Sequence, residues 1–131
     1  MIYMLDTDTM SFMIRKNPCV MKNFIKHEED EISISAITYA EICFGLEKKG
    51  SEKLFNEVNV VMGKLSIVDF DSSQSELYGR IRLKLEKLGT LIGDMDILIA
   101  AAALSAGAIL VTHNVKHFSK IKNLKIEDWC K

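Results

Sequence analysis

An α/β sandwich with a central, largely parallel β-sheet flanked by α-helices is predicted, and three observations carry the prediction. Short apolar runs of strand length alternate with longer segments of helical periodicity along the whole chain, the order expected of repeated strand–helix units. The segment Leu91–Thr112, LIGDMDILIAAAALSAGAILVT, packs a turn, an acidic helix start, a small apolar helix and a strand into one unit. Its helical part, Ile97–Leu104, is apolar almost all round and must be buried on most sides. Lastly, acidic residues stand just beyond strand-like runs, where ligands bind in sheets of this kind.

The elements follow in order. Ile2–Leu5 reads as a buried strand that ends abruptly in Asp6-Thr7-Asp8-Thr9. Met10–Arg15 suits a short helix closed by Asn17 and Pro18, and Val20–Lys26 resumes helical spacing through Val20, Met21, Phe24 and Ile25. Ile32–Ser35 alternates at period two and runs into a helix that begins near Ser35 or Thr38 and stops at Gly50. Glu52–Leu65 carries an apolar stripe of Leu54, Phe55, Val58, Val61, Met62 and Leu65, and Leu65–Phe70 forms a third strand. Ser73 and Glu76 stand at capping-box spacing and open a helix ending at Gly89, with Arg80, Arg82, Lys84 and Lys87 on its polar side. In the following unit Gly93 and Asp94 supply turn and N-cap chemistry, Gly107 ends the helix in a left-handed conformation, and Ala108–Val111 is a central strand. Val115–Lys120 is a short polar and aromatic segment, and Leu124–Glu127 an edge strand.

At 131 residues the chain is read as one domain, 1–131, with enough length to bury a core. Hydrophobic content of 48% and a net charge of -1 indicate a globular protein without the overall basicity that announces a nucleic-acid partner, so any such partner must meet a local patch. The three cysteines, Cys19, Cys43 and Cys130, are odd in number and form no CxxC pair, which suits a reducing cytoplasm better than a disulfide framework. Met1 leads straight into a strand-like run, and no apolar stretch has the length of a membrane span, so neither a secretory signal nor a membrane anchor is expected. Without GxGxxG or a Walker A sequence, dinucleotide and ATP use are disfavoured.

Three acids share one topological address. Asp6 directly follows the first strand, Glu41 lies in the first turns of the helix after the second, and Asp96 opens the helix that precedes the fourth. In a parallel sheet all three reach the C-terminal edge. Each has a local explanation: Asp6 and Asp8 can cap the next helix, Glu41 is three residues after Thr38, and acids near a helix start are favoured by the dipole. Asp96 resists this reading most, because Ala100 and Ala103 continue its face of the helix and offer a carboxylate no partner. Carboxylates gathered at one point repel unless a cation neutralises them, and an all-oxygen set selects a hard ion such as Mg²⁺ or Mn²⁺. Thr112 and Asn114 follow the fourth strand and line the same edge; Asp94 is a third candidate for lining the site, although it reads first as the cap of its own helix.

The segments YMLDTDT, ISISAITYAEICFGLEKK, YGRIRLKLEKLGTLIGDMDILIAAAALSAGAILVTHNVKHF and LKIEDW resemble, in order and spacing, a PIN-domain ribonuclease of the VapC toxin type over essentially the whole chain. The resemblance implies a small PIN-like α/β fold, a Mg²⁺-dependent endoribonuclease acting on RNA, and a cognate antitoxin. It assigns metal-ligand and catalytic roles to Asp6, Glu41 and Asp96. Asp8 stands where the family usually has Asn, Asp94 where a non-acidic residue is common, and Asn114 where many PIN domains place a fourth acid.

Other signals rank lower. His113 and His117 are four apart, but without a CxxC pair or a third nearby ligand they read as surface or RNA-contact histidines rather than zinc ligands. The basic run Arg80–Lys87, with Lys48, Lys49 and Lys116, reads first as a solvated face and second as a phosphate guide. The Leu54–Leu65 stripe reads as core that could leave apolar surface for a homodimer or an antitoxin. A phosphoacceptor signalling domain is the rival from another class. It needs an acid after the third strand, which Asp69 or Asp71 supplies, and a lysine after the last, which the spacing around Lys125 does not. A catalytically inactive PIN-like binding module is the third reading.

Overall fold

The computed structural model describes residues 1–131. Five strands, β1 (Ile2–Leu5), β2 (Glu31–Ser35), β3 (Ser66–Val68), β4 (Ile109–Val111) and β5 (Ile126–Glu127), form one sheet in the order β3-β2-β1-β4-β5, and every neighbouring pair is parallel. Seven helices surround it: α1 (Thr7–Ile14), α2 (Pro18–Lys26), α3 (Ala36–Lys49), α4 (Glu52–Met62), α5 (Ser72–Lys87), α6 (Asp94–Ala106) and α7 (Val115–Phe118). The parallel order follows from the helices, since a strand can pair with a parallel neighbour only after a crossover.

The pleat of β1 sorts the core into two layers. Met4 faces α5 and α6 and packs with Leu85, Ile97, Ile99, Ala100, Leu110 and Phe118. Tyr3 and Leu5 face the other way, onto Met10, Met13, Val20, Phe24, Ile34 and Trp129. The alanines of α6 explain its position: Ala100, Ala101, Ala102 and Ala103 are all fully buried, and their small side chains let the helix lie close against its neighbours.

Helix boundaries follow local chemistry. Asn17 caps α2 with Pro18 at its first position, Ser35 caps α3, and Gly50 ends α3 at φ 61. Gly107 ends α6 at φ 64, as the left-handed C-cap requires. Two expected caps are corrected. Asp71, not Ser73, caps α5, accepting from the Gln74 N–H at 3.2 Å, because its shorter reach from an extended backbone meets the free amide first. Asp94 does not cap α6: Gly93 holds the N-cap position without a side-chain bond, and Asp94 is the first helical residue. Its carboxylate instead accepts from the Tyr78 hydroxyl and pairs with Arg82 on α5, each at 3.2 Å. The segment after β4 is the short helix α7, with Asn114 at its N-cap position but no side-chain capping bond, and β5 is a two-residue edge strand.

Candidate active site

The parallel sheet gathers the ends of β1, β2 and β4 at one edge. α6 returns against the strands, so its first turn meets that same edge. Asp6 is where β1 gives way to α1: its backbone N–H continues the ladder to the Val111 carbonyl at 3.0 Å, and its Oδ1 accepts from the Thr9 N–H at 2.8 Å. The capping role expected as a local explanation is therefore real, but it engages only one carboxylate oxygen. Asp6 is also buried, 3% exposed, and burial raises its pKa, opposed by hydrogen bonds from Thr112 and Thr9 and reinforced by the charge of Asp8.

Asp96 lies in the first turn of α6, half-buried. Burial is again the main cause of its raised pKa; His117 lowers it and Asp8 raises it. The His117 Nδ1 stands 3.6 Å from Asp96 Oδ2. Asp8 thus acts electrostatically on both Asp6 and Asp96, and its Oδ2 accepts from the Asn114 side-chain amide at 3.1 Å. Asn114 is set in place from behind as well, by a bond from its backbone N–H to the Thr112 hydroxyl at 3.0 Å. Glu41 lies toward α1, its Oε1 accepting from the Thr7 hydroxyl at 2.7 Å, and that hydroxyl is 3.3 Å from Thr38 Oγ1.

The structure therefore brings Asp6, Asp96, Thr112 and Asn114 together, with Glu41 held at the flank through Thr7. Asp6, Glu41 and Asp96 do not close into a trio with all ligand atoms within 4.8 Å. No lysine or arginine forms an ion pair with Asp6, Asp8, Glu41 or Asp96. Asp94 is committed to α5 instead of lining the site. Two participants escaped the sequence reading. Asp8, noted only as a departure from a pattern, is the additional acid; the Asp-x-Asp spacing at a strand-to-helix junction was its signal. His117 reaches Asp96, whereas His113 precedes α7 and pairs with Asp128 at 3.1 Å, so the two histidines share no helical face.

An all-parallel α/β sheet with β1 at its centre and carboxylates without a lysine or arginine partner at its C-terminal edge defines the class: a domain that offers oxygen ligands where such sheets bind. A family model described as "PIN domain" matches residues 3–124. "Ribonuclease VapC2" of Rickettsia felis is 38% identical over 134 aligned residues, 100% of each chain, and the "tRNA(fMet)-specific endonuclease VapC" of Salmonella typhimurium is 34% identical over 98% of each. The solved VapBC2 of Rickettsia felis, bound to a DNA fragment from their promoter, superposes with a TM-score of 0.93 at 37% identity, covering 98% of this chain and 99% of that one. The chain belongs to the PIN-domain family, in its VapC branch.

Proposed function

We propose that residues 1–131 work as one PIN domain, a divalent-metal-dependent endoribonuclease that serves as the toxin of a toxin–antitoxin pair in the cytoplasm. The observation that carries this reading is the acidic edge itself. Asp6 is buried beside the charge of Asp8, which also acts on Asp96, and no lysine or arginine compensates them. Such an arrangement is costly unless a cation joins it.

The donor set fits a hard divalent ion. Every candidate ligand is oxygen, and the raised pKa values of Asp6 and Asp96 record poor solvation that a bound cation would relieve. Asp6, Glu41 and Asp96 would hold Mg²⁺, or Mn²⁺ in its place. When bound, the ion supplies Lewis-acid polarisation of a phosphate and lowers the pKa of water for attack on phosphorus. The chain does the positioning. The Thr9 N–H fixes the Asp6 carboxylate, Thr7 orients Glu41, and Asp8 takes the amide N–H of Asn114, whose carbonyl oxygen remains an acceptor. His117, exposed beside Asp96, adds a donor at the rim for a substrate phosphate. RNA is the substrate class, as the names of the relatives suggest.

The antitoxin partner is supported by the VapBC2 complex and by a cleft of about 520 Å³ between α1, α3 and α4. Ile14, Ile42, Leu46, Leu54 and Val58 make its apolar wall, and it reaches Thr7 and Glu41. A peptide lying there ends at the acidic edge, where an arginine finds carboxylates to pair with. Phe55 and Val60, 51% and 66% exposed on α4, leave apolar surface for a second copy in a homodimer. The phosphoacceptor alternative fits poorly. β3 is an edge strand two places from β1, and Asp71 after it is occupied in capping α5.

Incubation of the purified protein with RNA, with and without Mg²⁺ or Mn²⁺, tests the reading. Cleavage is expected only with the metal and is lost on chelation; cleavage that persists in excess EDTA overturns it. An inactive binding module would bind RNA and leave it intact under every condition.

A further inference from the structure

Beyond the carboxylates of the sheet edge, the tail of the chain forms a second constellation of metal-ligating atoms. A ring nitrogen of His113, a carboxylate oxygen of Asp128 and the thiol sulfur of Cys130 all lie within 4.8 Å of one another. No other trio of His, Cys, Asp or Glu in the chain meets that spacing. We propose that His113, Asp128 and Cys130 form a binding site for a thiophilic transition-metal ion of the Zn²⁺ type, separate from the all-oxygen site of Asp6 and Asp96.

Spacing and local restraint both support it. A tetrahedral ion with Zn–N and Zn–O bonds near 2.1 Å spaces its nitrogen and oxygen ligands about 3.3 Å apart. His113 Nδ1 stands 3.1 and 3.4 Å from the two oxygens of Asp128, close to the separation that two ligands of one such ion keep. The ligands are also held in advance. Asp128 Oδ1 accepts from the Cys130 backbone N–H at 2.8 Å, which folds the tail so that thiol and carboxylate point the same way. Between them Trp129, 1% exposed, anchors the tail in the core, with His27 stacked on its ring at 5.2 Å. The His113 ring is steadied by an edge contact with Phe12 at 6.2 Å.

Ligand chemistry then sets selectivity. A thiolate and an imidazole favour Zn²⁺ and its neighbours over Mg²⁺, whereas the carboxylates at the sheet edge favour the reverse. His113 is exposed, which leaves a fourth position open to water. An ion here would tie the tail after β5 to the loop after β4 that carries Asn114. It would thereby brace the rim of the acidic edge without entering it.

Co²⁺ titration of the full chain in excess Mg²⁺ tests the site, because a cobalt–thiolate bond gives a charge-transfer band. One Co²⁺ per chain is expected, with a band that Zn²⁺ abolishes by displacement, and Zn²⁺ should slow alkylation of Cys130. The band should disappear in Cys130→Ser and weaken at least tenfold in apparent affinity in His113→Ala. It should persist unchanged in Cys19→Ser, Cys43→Ser and Asp96→Asn. Absence of the band, its survival in Cys130→Ser, or its loss to excess Mg²⁺ overturns the proposal. Circular dichroism of each variant separates loss of a ligand from loss of the fold.

Discussion

Asp6 joins two demands at one residue: it caps α1, and it carries a charge into a place that water hardly reaches. Its folded pKa lies above the ordinary 3.8, chiefly through desolvation. Below the unfolded value the acid is protonated in both states and costs nothing. As pH rises through the higher folded value the buried carboxylate must ionise, and stability is lost. Asp6→Asn keeps an oxygen for the Thr9 N–H and removes the charge. The metal-free variant should therefore melt above the parent at neutral pH, with the gap closing toward acid; thermal melts in EDTA across pH measure it. A variant that melts lower at neutral pH would mean that lost hydrogen bonding outweighs desolvation. RNA cleavage should fall by orders of magnitude in Asp6→Asn and Asp96→Asn alike, since each removes one charge from the proposed metal site.

Asp8 and Asp94 make a second residue-scale contrast. Both extend the acidic pattern of the sequence, but Asp8 acts on Asp6 and Asp96 whereas Asp94 is held by Tyr78 and Arg82. With Asn114 neutral, a second cation at the edge depends on Asp8 or on substrate phosphate. Calorimetric titration with Mn²⁺ should show one tight site in the free protein, weakened severalfold in Asp8→Asn and unchanged in Asp94→Asn. Two equal sites, one of them lost in Asp94→Asn, would reverse the assignment.

At the scale of elements, α6 carries most of the architecture. It lies in contact with α5, closes one core layer, and presents Asp96 at the end of its first turn. Its termination depends on Gly107 at φ 64, where an added Cβ meets no atom within 4 Å. The cost of Gly107→Ala is then backbone strain alone, about 1 kcal/mol. Urea unfolding should show that loss while metal-dependent cleavage is kept, because Gly107 is at the opposite end of α6 from Asp96. A cost well above this would reveal a packing role that the open space around the residue does not suggest.

For the molecule as a whole, the acidic edge and the apolar cleft between α1, α3 and α4 adjoin at Thr7 and Glu41. One partner can cover both. Leu46→Glu places a charge on the apolar wall and should weaken antitoxin binding by more than tenfold, while the free enzyme still cuts RNA. Asp6→Asn with Asp96→Asn should weaken the complex as well, through lost arginine pairing. Unchanged affinity in both variants, measured by calorimetry, places the partner elsewhere. No helix is long and apolar enough to cross a membrane.

Local sequence determined the alternation of strand and helix, the glycine stops at Gly50 and Gly107, and the address of Asp6, Glu41 and Asp96, because periodicity, chain reversal and capping act over a few residues. It misplaced Asp94, whose partners lie on α5, and it missed Asp8 and His117 as neighbours of Asp96. It also gave His113 no third ligand, although Asp128 and Cys130 stand beside it in space. Those decisions belong to tertiary structure. Which side chain meets a carboxylate depends on strand order and on how helices pack, and residues 15 or more apart become neighbours only when the sheet is complete.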